Sequence, residues 1–279
     1  MQLIHSITEM QSYSSVWQQA GLKIAFVPTM GNLHAGHLSL VEKAMEVADR
    51  VVLSIFVNPL QFNENSDFEA YPRTLDADMQ KLDGYRVDAL FAPGENDLYP
   101  QGREQVTLVD VPELSTILEG SSRPGHFRGV ATVVAKLFNC VLPQVAIFGE
   151  KDFQQLLVVQ RMVADLNFPI EIIGTPTRRE QDGLAMSSRN SRMSTEERQK
   201  APALYRTLRT LCDKILAGEH DFAQLESQAM EQIAAEGMSP EYIRVRSAKD
   251  LGTPQIAADL VIVAAARLGQ TRLIDNIRI

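Results

Sequence analysis

The stretch PTMGNLHAGH, residues 28–37, is the strongest indication of the fold of this chain. It follows the apolar run KIAFV, residues 23–27, which has the composition of a buried strand. It precedes Leu38 and Val41, the first of several apolar residues at helical spacing. A strand, a tight turn and a helix form the repeating unit of a parallel sheet. Ligands bind at the carboxyl ends of strands in such sheets, so the stretch is also a candidate ligand-binding turn.

Two of the five histidines, His34 and His37, lie in this turn with Gly36 between them. On a helical turn, side chains three residues apart face the same side. A helix N-terminus adds free N–H groups and a partial positive charge, which favour phosphate. The turn is therefore predicted to stabilise charge on phosphate oxygens. A structural role and a metal site are the alternatives, although no third metal ligand lies nearby in sequence.

Short β-branched runs alternate with amphipathic segments along the first part of the chain, which predicts βαβ units and a parallel sheet. After residue 175 the composition changes, and a smaller α+β domain is expected from about residue 176. The predicted strands are residues 23–27, 51–57, 88–92, 106–111, 145–148, 170–174, 242–246, 260–265 and 272–276. Besides the helix that follows the turn at Leu38, the predicted helices are residues 74–82, 126–142, 153–166, 195–216 and 222–236.

Composition and charge exclude several classes of protein. The formal net charge of −8 argues against a non-specific nucleic-acid partner, which requires a basic surface. The N-terminus lacks a signal-peptide pattern, and no apolar stretch reaches the roughly 18 residues that span a bilayer. Cys140 and Cys212 have no metal-ligand neighbours and are interpreted as buried reduced thiols. We therefore expect a cytoplasmic protein with no membrane partner.

Two further loops carry groups suited to a nucleotide. In GEKD, residues 149–152, Lys151 offers a point charge for phosphate and Asp152 can accept from a ribose hydroxyl. The loop DGLAMSSRN, residues 182–190, combines two hydroxyls with the guanidinium of Arg189 into a possible phosphate clamp. The alternatives are a surface ion pair at a helix cap and a polar interdomain linker.

Two more segments carry groups that bind small acids. Asn58 and Gln61 follow the second predicted strand, where a neutral amide can hold a hydroxyl or carboxylate group. Arg123 and His126 lie at a predicted helix start, where they can attract an anionic substrate. The alternatives are ordinary surface loops and a helix cap. The sequence contains no Walker-type or dinucleotide glycine fingerprint and no recognisable Ser-His-Asp or Cys-His arrangement.

Taken in order, these motifs resemble the pantoate–β-alanine ligase family over residues 24–276. The most specific segments are PTMG with HAGH, FVNP with QF, YPRT, RPGHF, FGEKD with Gln155, and residues 182–190. The resemblance implies a Rossmann-like ATP- and pantoate-binding domain over residues 1–175, a C-terminal lid domain over residues 176–279, and a homodimer.

The resemblance also implies an AMP-forming ligase. ATP and (R)-pantoate give pantoyl adenylate and pyrophosphate, and the amine of β-alanine then releases AMP and pantothenate. ATP is thus a co-substrate, accompanied by Mg²⁺. The protein ligands of Mg²⁺ are not evident from the sequence, although Asp78 is one possibility.

The resemblance assigns roles to individual residues of this sequence. The expected catalytic residues are His34, His37, Lys151 and Arg189. The residues expected to bind ATP are Pro28, Thr29, Met30, Gly31, His34, Gly36, His37, Gly149, Glu150, Lys151, Asp152, Arg178, Met186, Ser187, Ser188 and Arg189. The residues expected to bind pantoate or β-alanine are Asn58, Gln61, Arg123, His126 and Gln155.

Two other functions are compatible with part of this pattern. A nucleotidylyltransferase shares the His-x-Gly-His turn but joins a nucleotide to a small phosphate-bearing acceptor, so its product retains the nucleotide. A nucleotide-binding regulatory module binds without turnover. The ligase is distinguished by AMP release that requires both acids.

Overall fold

The computed structural model describes residues 1–63, 65–256 and 258–279. Its strands are β1 (Gln2–Ile4), β2 (Ile24–Thr29), β3 (Arg50–Ile55), β4 (Ala89–Phe91), β5 (Val145–Gly149), β6 (Glu171–Thr175), β7 (Ser239–Ser247), β8 (Leu260–Leu268) and β9 (Thr271–Arg278). Its α-helices are α1 (Ile7–Gln19), α2 (Ala35–Val47), α3 (Asn65–Glu69), α4 (Leu75–Lys81), α5 (Glu95–Leu98), α6 (Glu119–Ser122), α7 (His126–Val141), α8 (Phe153–Asp165), α9 (Thr195–Lys200), α10 (Ala203–Leu216) and α11 (Phe222–Ala235). Short 3₁₀ turns cover Pro59–Gln61, Glu150–Asp152 and Ser188–Arg192.

The chain divides into two compact units. The first comprises Met1–Glu150 and Gln155–Thr175, and the second comprises Lys151–Gln154 and Pro176–Ile279. The functional labels expected for the two domains, a binding domain and a lid, remain predictions.

The sheet of the first unit is parallel, with strand order β1-β4-β3-β2-β5-β6. From β2 the chain proceeds outward to β3 and β4 on one side, and it later continues on the other side through β5 and β6. The order therefore reverses between β2 and β5, which pair directly at Ala25 and Val145. A crevice at such a reversal is the usual ligand site of an open α/β sheet. The carboxyl end of β2 leads into residues 30–37, and that of β5 leads into Glu150.

The strands of this sheet are apolar on both faces because helices cover both faces. Phe26 of β2 packs in one core cluster with Phe138 of α7. Val27, the next residue, packs in a second cluster with Val41 of α2. Alternation along β2 thus divides its side chains between two cores, which confirms the predicted Rossmann-like arrangement.

The second unit is an antiparallel sheet, ordered β7-β8-β9, packed against two helices. Leu208 of α10 and Ile233 of α11 are fully buried in one cluster with Ile262 of β8. This arrangement confirms the predicted α+β class. Cys140 and Cys212 are free and buried, as predicted for the two thiols.

Three secondary-structure predictions differ from the structure. Residues 106–111 were expected to form a strand, but the segment is irregular. Val106 and Val109 instead pack against the core, and Val109 N donates to Thr132 Oγ1 at 2.9 Å. The apolar residues of this segment therefore reflect packing against the core rather than pairing in a sheet.

The other two differences are a break in a predicted helix and two elements, β1 and α1, that were not predicted. The helix expected over residues 195–216 is divided between α9 and α10 around Pro202, which has no backbone N–H to continue a helix. Neither β1 nor α1 was predicted from the sequence, although β1 pairs with β4 at an edge of the sheet. A strand of three residues is too short to show a clear period.

Candidate active site

A tight turn follows β2 and leads to the two histidines. Thr29 Oγ1 donates to the carbonyl of Ser54 at 2.7 Å and accepts from Gly31 N at 3.1 Å. Gly31 has a φ of +79°, and a Cβ there would lie 3.0 Å from Ile55 Cγ2. Glycine is therefore needed at this position both for the backbone angle and for the available space.

A buried carboxylate, Asp78 of α4, supports the next part of this turn. Its Oδ2 accepts from Asn32 N at 2.7 Å and from Thr74 Oγ1 at 2.9 Å. Its Oδ1 accepts from Leu33 N at 2.8 Å and lies 3.4 Å from Lys81 Nζ. Four donors occupy the lone pairs that a metal ion would need, so Asp78 does not fit the Mg²⁺ role considered for it. The bonds of Asp78 to Asn32 N and Leu33 N instead show that it supports the turn.

Replacing Asp78 with alanine is expected to lower the free energy of unfolding by about 3–5 kcal/mol, because it leaves two backbone N–H groups and a lysine without their buried partner. Urea denaturation measures this change. Asp76→Ala is the matched control, since Asp76 is exposed on the same helix. Equal, small effects of the two variants would contradict the supporting role of Asp78.

The two histidines are held against each other at the start of α2. His34 is the N-cap, and its Nδ1 accepts from Gly36 N at 3.1 Å. His37 Nδ1 accepts from His34 N at 3.3 Å, and the ring centroids lie 4.1 Å apart. A neutral imidazole that accepts at Nδ1 carries its proton at Nε2. Each histidine in this arrangement therefore has its donor at Nε2.

The side chain of Asn58 is fully used within the protein. It is 1% exposed and precedes the 3₁₀ turn Pro59–Gln61. Its Oδ1 accepts from Tyr99 Oη at 2.7 Å and from Leu60 N at 3.3 Å. Its Nδ2 donates to the carbonyl of Gly129 at 3.1 Å and to Gln61 Oε1 at 3.0 Å. An amide offers two donors and one acceptor oxygen, so these four bonds satisfy Asn58 without a substrate.

Gln61 lies beside the turn after β2. Its Nε2 is 3.0 Å from Met30 Sδ. A side chain expected to bind pantoate and a residue expected to bind ATP are thus neighbours. The backbone of α7 also approaches closely here, because a Cβ on Gly129 would overlap the carbonyl of Leu60.

Arg123 and His126 converge on the carbonyl oxygen of Gln61. His126 Nδ1 lies 2.8 Å from that oxygen, and Arg123 Nη2 donates to it at 3.3 Å. Arg123 Nη1 lies 3.2 Å from His126 Nε2. Since a guanidinium only donates, Nε2 is the acceptor and Nδ1–H donates to Gln61. His126 therefore supports the backbone of Gln61 through Nδ1, and its Nε2 bonds to Arg123.

The remaining predicted residues of the first unit lie near the carboxyl end of β5. Gly149 is the last residue of β5, and Glu150 follows it. Gln155 is half-buried in the first turn of α8. These positions agree with the expected location of the site at the end of the sheet, whereas their individual roles remain predictions.

In the second unit, Lys151 and the loop after β6 line one small cavity. The cavity has a volume of ≈ 10 Å³, and Lys151, Ser187, Arg189 and Asn190 are among its lining residues. The carbonyl of Lys151 accepts from Asn276 Nδ2 at 2.9 Å, and its Nζ lies 3.8 Å from Asp152 Oδ1. The structure thus brings together two motifs that are distant in sequence.

The loop that carries Arg189 has its own supports. Ser187 Oγ accepts from Arg189 N at 3.3 Å, and Met186 N donates to the carbonyl of Arg178 at 3.0 Å. Asp182, at the start of the loop, accepts from Arg198 Nη1 at 2.6 Å, and this bond lowers the pKa of the Asp182 carboxyl.

The ion pair between Arg179 and Asp275 was not predicted from the sequence. Arg179 donates to both carboxylate oxygens of Asp275, at 2.7 and 2.9 Å, and its Cζ lies 3.9 Å from the centroid of the Tyr205 ring. Arg178, which was expected to bind ATP, is exposed. The available signal for this pair was Asp275 itself, because an acidic residue at an inward position of a strand needs a partner.

Features of two other classes of site are absent from the described residues. Within residues 1–63, 65–256 and 258–279, no group of three or more His, Cys, Asp and Glu side chains is arranged to hold a metal ion. No α-helix in the same part of the chain is both long enough and apolar enough to cross a membrane.

The whole chain is similar to known proteins of one kind. The family model described as pantoate-beta-alanine ligase matches residues 2–278. A pantothenate synthetase of Thioalkalivibrio sulfidiphilus is 54% identical over 278 residues, which cover 99% of this chain and 97% of the relative. A pantothenate synthetase of Nitrosococcus oceani is 51% identical over 280 residues, covering 100% of this chain and 98% of the relative.

Solved structures give the same result. Pantothenate synthetase from Thermus thermophilus matches with a TM-score of 0.89 and 44% identity, covering 99% of both chains. Pantoate-beta-alanine ligase from Francisella tularensis, complexed with beta-gamma ATP and beta-alanine, matches with a TM-score of 0.83 and 37% identity. That match covers 99% of this chain and 97% of the Francisella chain.

Proposed function

The chain belongs to the pantoate–β-alanine ligase family, and we propose a role in the ligase reaction for each residue of the candidate site. It is a ligase that joins pantoate to β-alanine with ATP as co-substrate. The observation that carries the residue assignments is the contact of Gln61 with Met30, directly beside the turn that holds His34 and His37.

Adenylation solves the chemical difficulty of this ligation. A carboxylate is a poor acyl donor because its leaving group would be an oxide ion. In the first step a carboxylate oxygen of pantoate attacks the α-phosphorus of ATP, and pyrophosphate leaves. In the second step the β-alanine nitrogen attacks the acyl carbon, the acyl C–O bond breaks, and AMP leaves. The amine must lose its proton, and water or the departing phosphate can accept it.

The histidines are proposed to lower the electrostatic cost of the first step. An anionic carboxylate must approach a polyanion, so groups that donate to the phosphates in the transition state accelerate the reaction. The fixed Nδ1 bonds of His34 and His37 leave Nε2–H as the donor of each ring. The histidines therefore act as hydrogen-bond donors and need not transfer protons or bind a metal.

The cationic groups of the second unit are proposed to bind the phosphates. Lys151 and Arg189 supply positive charge, and the hydroxyls of Ser187 and Ser188 supply hydrogen bonds. The other residues expected to bind ATP keep that proposed role. Mg²⁺ is expected to accompany ATP and to neutralise part of the triphosphate charge, and phosphate oxygens and water are its usual ligands at such sites. A homodimer and a cytoplasmic location also remain predictions.

Gln61 and Gln155 are the proposed contacts for pantoate. The bonds of Asn58 favour a positioning role, because its amide has no remaining capacity for a substrate. His126 is likewise assigned to the support of Gln61, because its two ring nitrogens bond to Gln61 and Arg123, whereas Arg123 keeps its proposed contact with the substrate.

One assay distinguishes the ligase from its alternatives. The protein is incubated with ATP, Mg²⁺, pantoate and β-alanine, and AMP and pyrophosphate are followed. We expect AMP release to require both acids. A nucleotidylyltransferase would retain the nucleotide in its product, and a regulatory module would release nothing. AMP formation that is no faster with both acids than with neither would contradict the proposed function.

Gln155→Ala is expected to raise the KM for pantoate by about 10- to 100-fold, the range for loss of a hydrogen bond to a charged group. The KM for ATP should change little. Gln160→Ala is the control, since Gln160 is exposed on the same helix. If the two variants have the same KM for pantoate, Gln155 is not part of the pantoate site.

A further inference from the structure

We propose that the Tyr99 hydroxyl, acting through Asn58, holds the Gln61 amide in place and thereby positions pantoate. Tyr99 is then a positioning residue of the ligase, separated from the substrate by two side chains. This inference rests on the proposed role of Gln61 as a pantoate contact.

Two backbone groups fix the orientation of the Asn58 amide. The N–H of Leu60 only donates, so the atom that it meets at 3.3 Å must be the oxygen Oδ1. The carbonyl of Gly129 only accepts, so the atom at 3.1 Å from it must be the nitrogen Nδ2. Each end of the amide is therefore identified by a partner that cannot reverse its role.

This orientation determines the direction of the other two hydrogen bonds. Tyr99 Oη donates to Asn58 Oδ1 at 2.7 Å, the shortest of the four bonds. The second hydrogen of Asn58 Nδ2 is donated to Gln61 Oε1 at 3.0 Å. Gln61 must then turn its Nε2 away from Asn58, which agrees with the distance of 3.0 Å to Met30 Sδ. Gln61 thus offers an N–H donor to an acceptor oxygen of pantoate.

The surroundings of Tyr99 keep its hydroxyl in place as a donor. The side chain is 2% exposed, and its ring centroid lies 6.0 Å from that of Phe56. Burial raises the pKa of Tyr99 above its ordinary value, so the hydroxyl keeps its proton at neutral pH. Without this hydroxyl, Asn58 Oδ1 retains only the longer bond from Leu60, so Asn58 and the Gln61 oxygen that it holds are placed less firmly.

The test is Tyr99→Phe, which removes one oxygen atom and keeps the ring. Initial rates of AMP release are measured against pantoate, ATP and β-alanine in turn. We expect the KM for pantoate to rise about 5- to 10-fold, the effect of losing one neutral hydrogen bond, with the other two KM values within about twofold. Tyr85→Phe is the control, because Tyr85 is a half-buried tyrosine that packs in the other core cluster of the first unit.

A double-mutant cycle shows whether Tyr99 acts through Gln61. In a Gln61→Ala background, Tyr99→Phe should cause no further rise in the KM for pantoate. Asn58→Asp provides an independent variant: it keeps an acceptor for Tyr99 but replaces the donor to Gln61 Oε1 with a second acceptor. It is expected to raise the KM for pantoate at least as much as Tyr99→Phe.

Three outcomes overturn the inference: an unchanged KM for pantoate in Tyr99→Phe, an equal rise in all three KM values, or the full effect of Tyr99→Phe in the Gln61→Ala background. The failure of the proposed function is recognised separately, since the unmodified protein would then not release AMP in response to pantoate and β-alanine.

Discussion

His37→Ala is expected to slow pantoyl-adenylate formation by about 100- to 1,000-fold, the usual cost of removing one donor that stabilises a transition-state anion. The ring of His37 is half-buried and contacts His34, so the fold should be retained. The rate is measured as pyrophosphate release in a single turnover with ATP and pantoate, in the absence of β-alanine. His220→Ala is the control, since His220 is exposed and lies in the second unit.

A second substitution at this position separates a hydrogen bond from a positive charge. Glutamine can place an amide N–H close to the position of Nε2 but carries no charge. Because the bond from His34 N to His37 Nδ1 assigns the donor to Nε2, we expect His37→Gln to recover about 10-fold or more of the rate lost in His37→Ala. If both variants are equally slow, the histidine does not act as a neutral donor. If His37→Ala stays within a few-fold of the unmodified protein, His37 has no role in adenylation.

Lys151→Ala is expected to have an effect of similar size, about 100-fold or more on adenylation, because it removes a cation from a site that binds a polyanion. Asn276 holds the backbone carbonyl of Lys151, and this bond does not depend on the lysine side chain. The loss should therefore appear in the rate of pyrophosphate release and not in the thermal midpoint of unfolding.

Charge and geometry are distinguished at Lys151 by a second substitution. Lys151→Arg keeps the charge and should retain more activity than Lys151→Ala, although a planar guanidinium does not replace a compact ammonium group fully. Lys200→Ala is the control, since Lys200 is exposed on α9 and pairs with Glu196 at 2.7 Å. Equal rates for Lys151→Ala and Lys200→Ala would exclude Lys151 from the phosphate site.

The sequence was sufficient to predict the parallel sheet and the ligand-binding turn after β2. Long buried strands such as β2 and β3 have strong local patterns, and a glycine and two histidines at a strand end restrict the possible chemistry. The short strand β1 and the irregular residues 106–111 were not predicted correctly, because their conformation depends on packing against distant parts of the chain. Local pattern alone cannot supply that information.

The supporting residues of the site were the least predictable. Asp78 bonds to Leu33, which is 45 positions away in sequence, and was considered only as a metal ligand. Asn58 and His126 were expected to bind substrate because of their residue types. Their partners, which the sequence does not show, favour a supporting role instead. The carbonyl of Gly129 and the hydroxyl of Tyr99 bond to Asn58, and the carbonyl of Gln61 and the guanidinium of Arg123 bond to His126.

Pantoate is proposed to be activated by transfer of AMP to its carboxylate. The sharpest experiment uses pantoate labelled with ¹⁸O in the carboxylate, together with ATP and β-alanine, and measures the mass of the AMP released. Because the acyl C–O bond breaks in the second step, we expect one ¹⁸O atom in the phosphate of each AMP. AMP without the label, formed together with pantothenate, would show that the carboxylate oxygen never bonds to phosphorus and would exclude a pantoyl-adenylate intermediate.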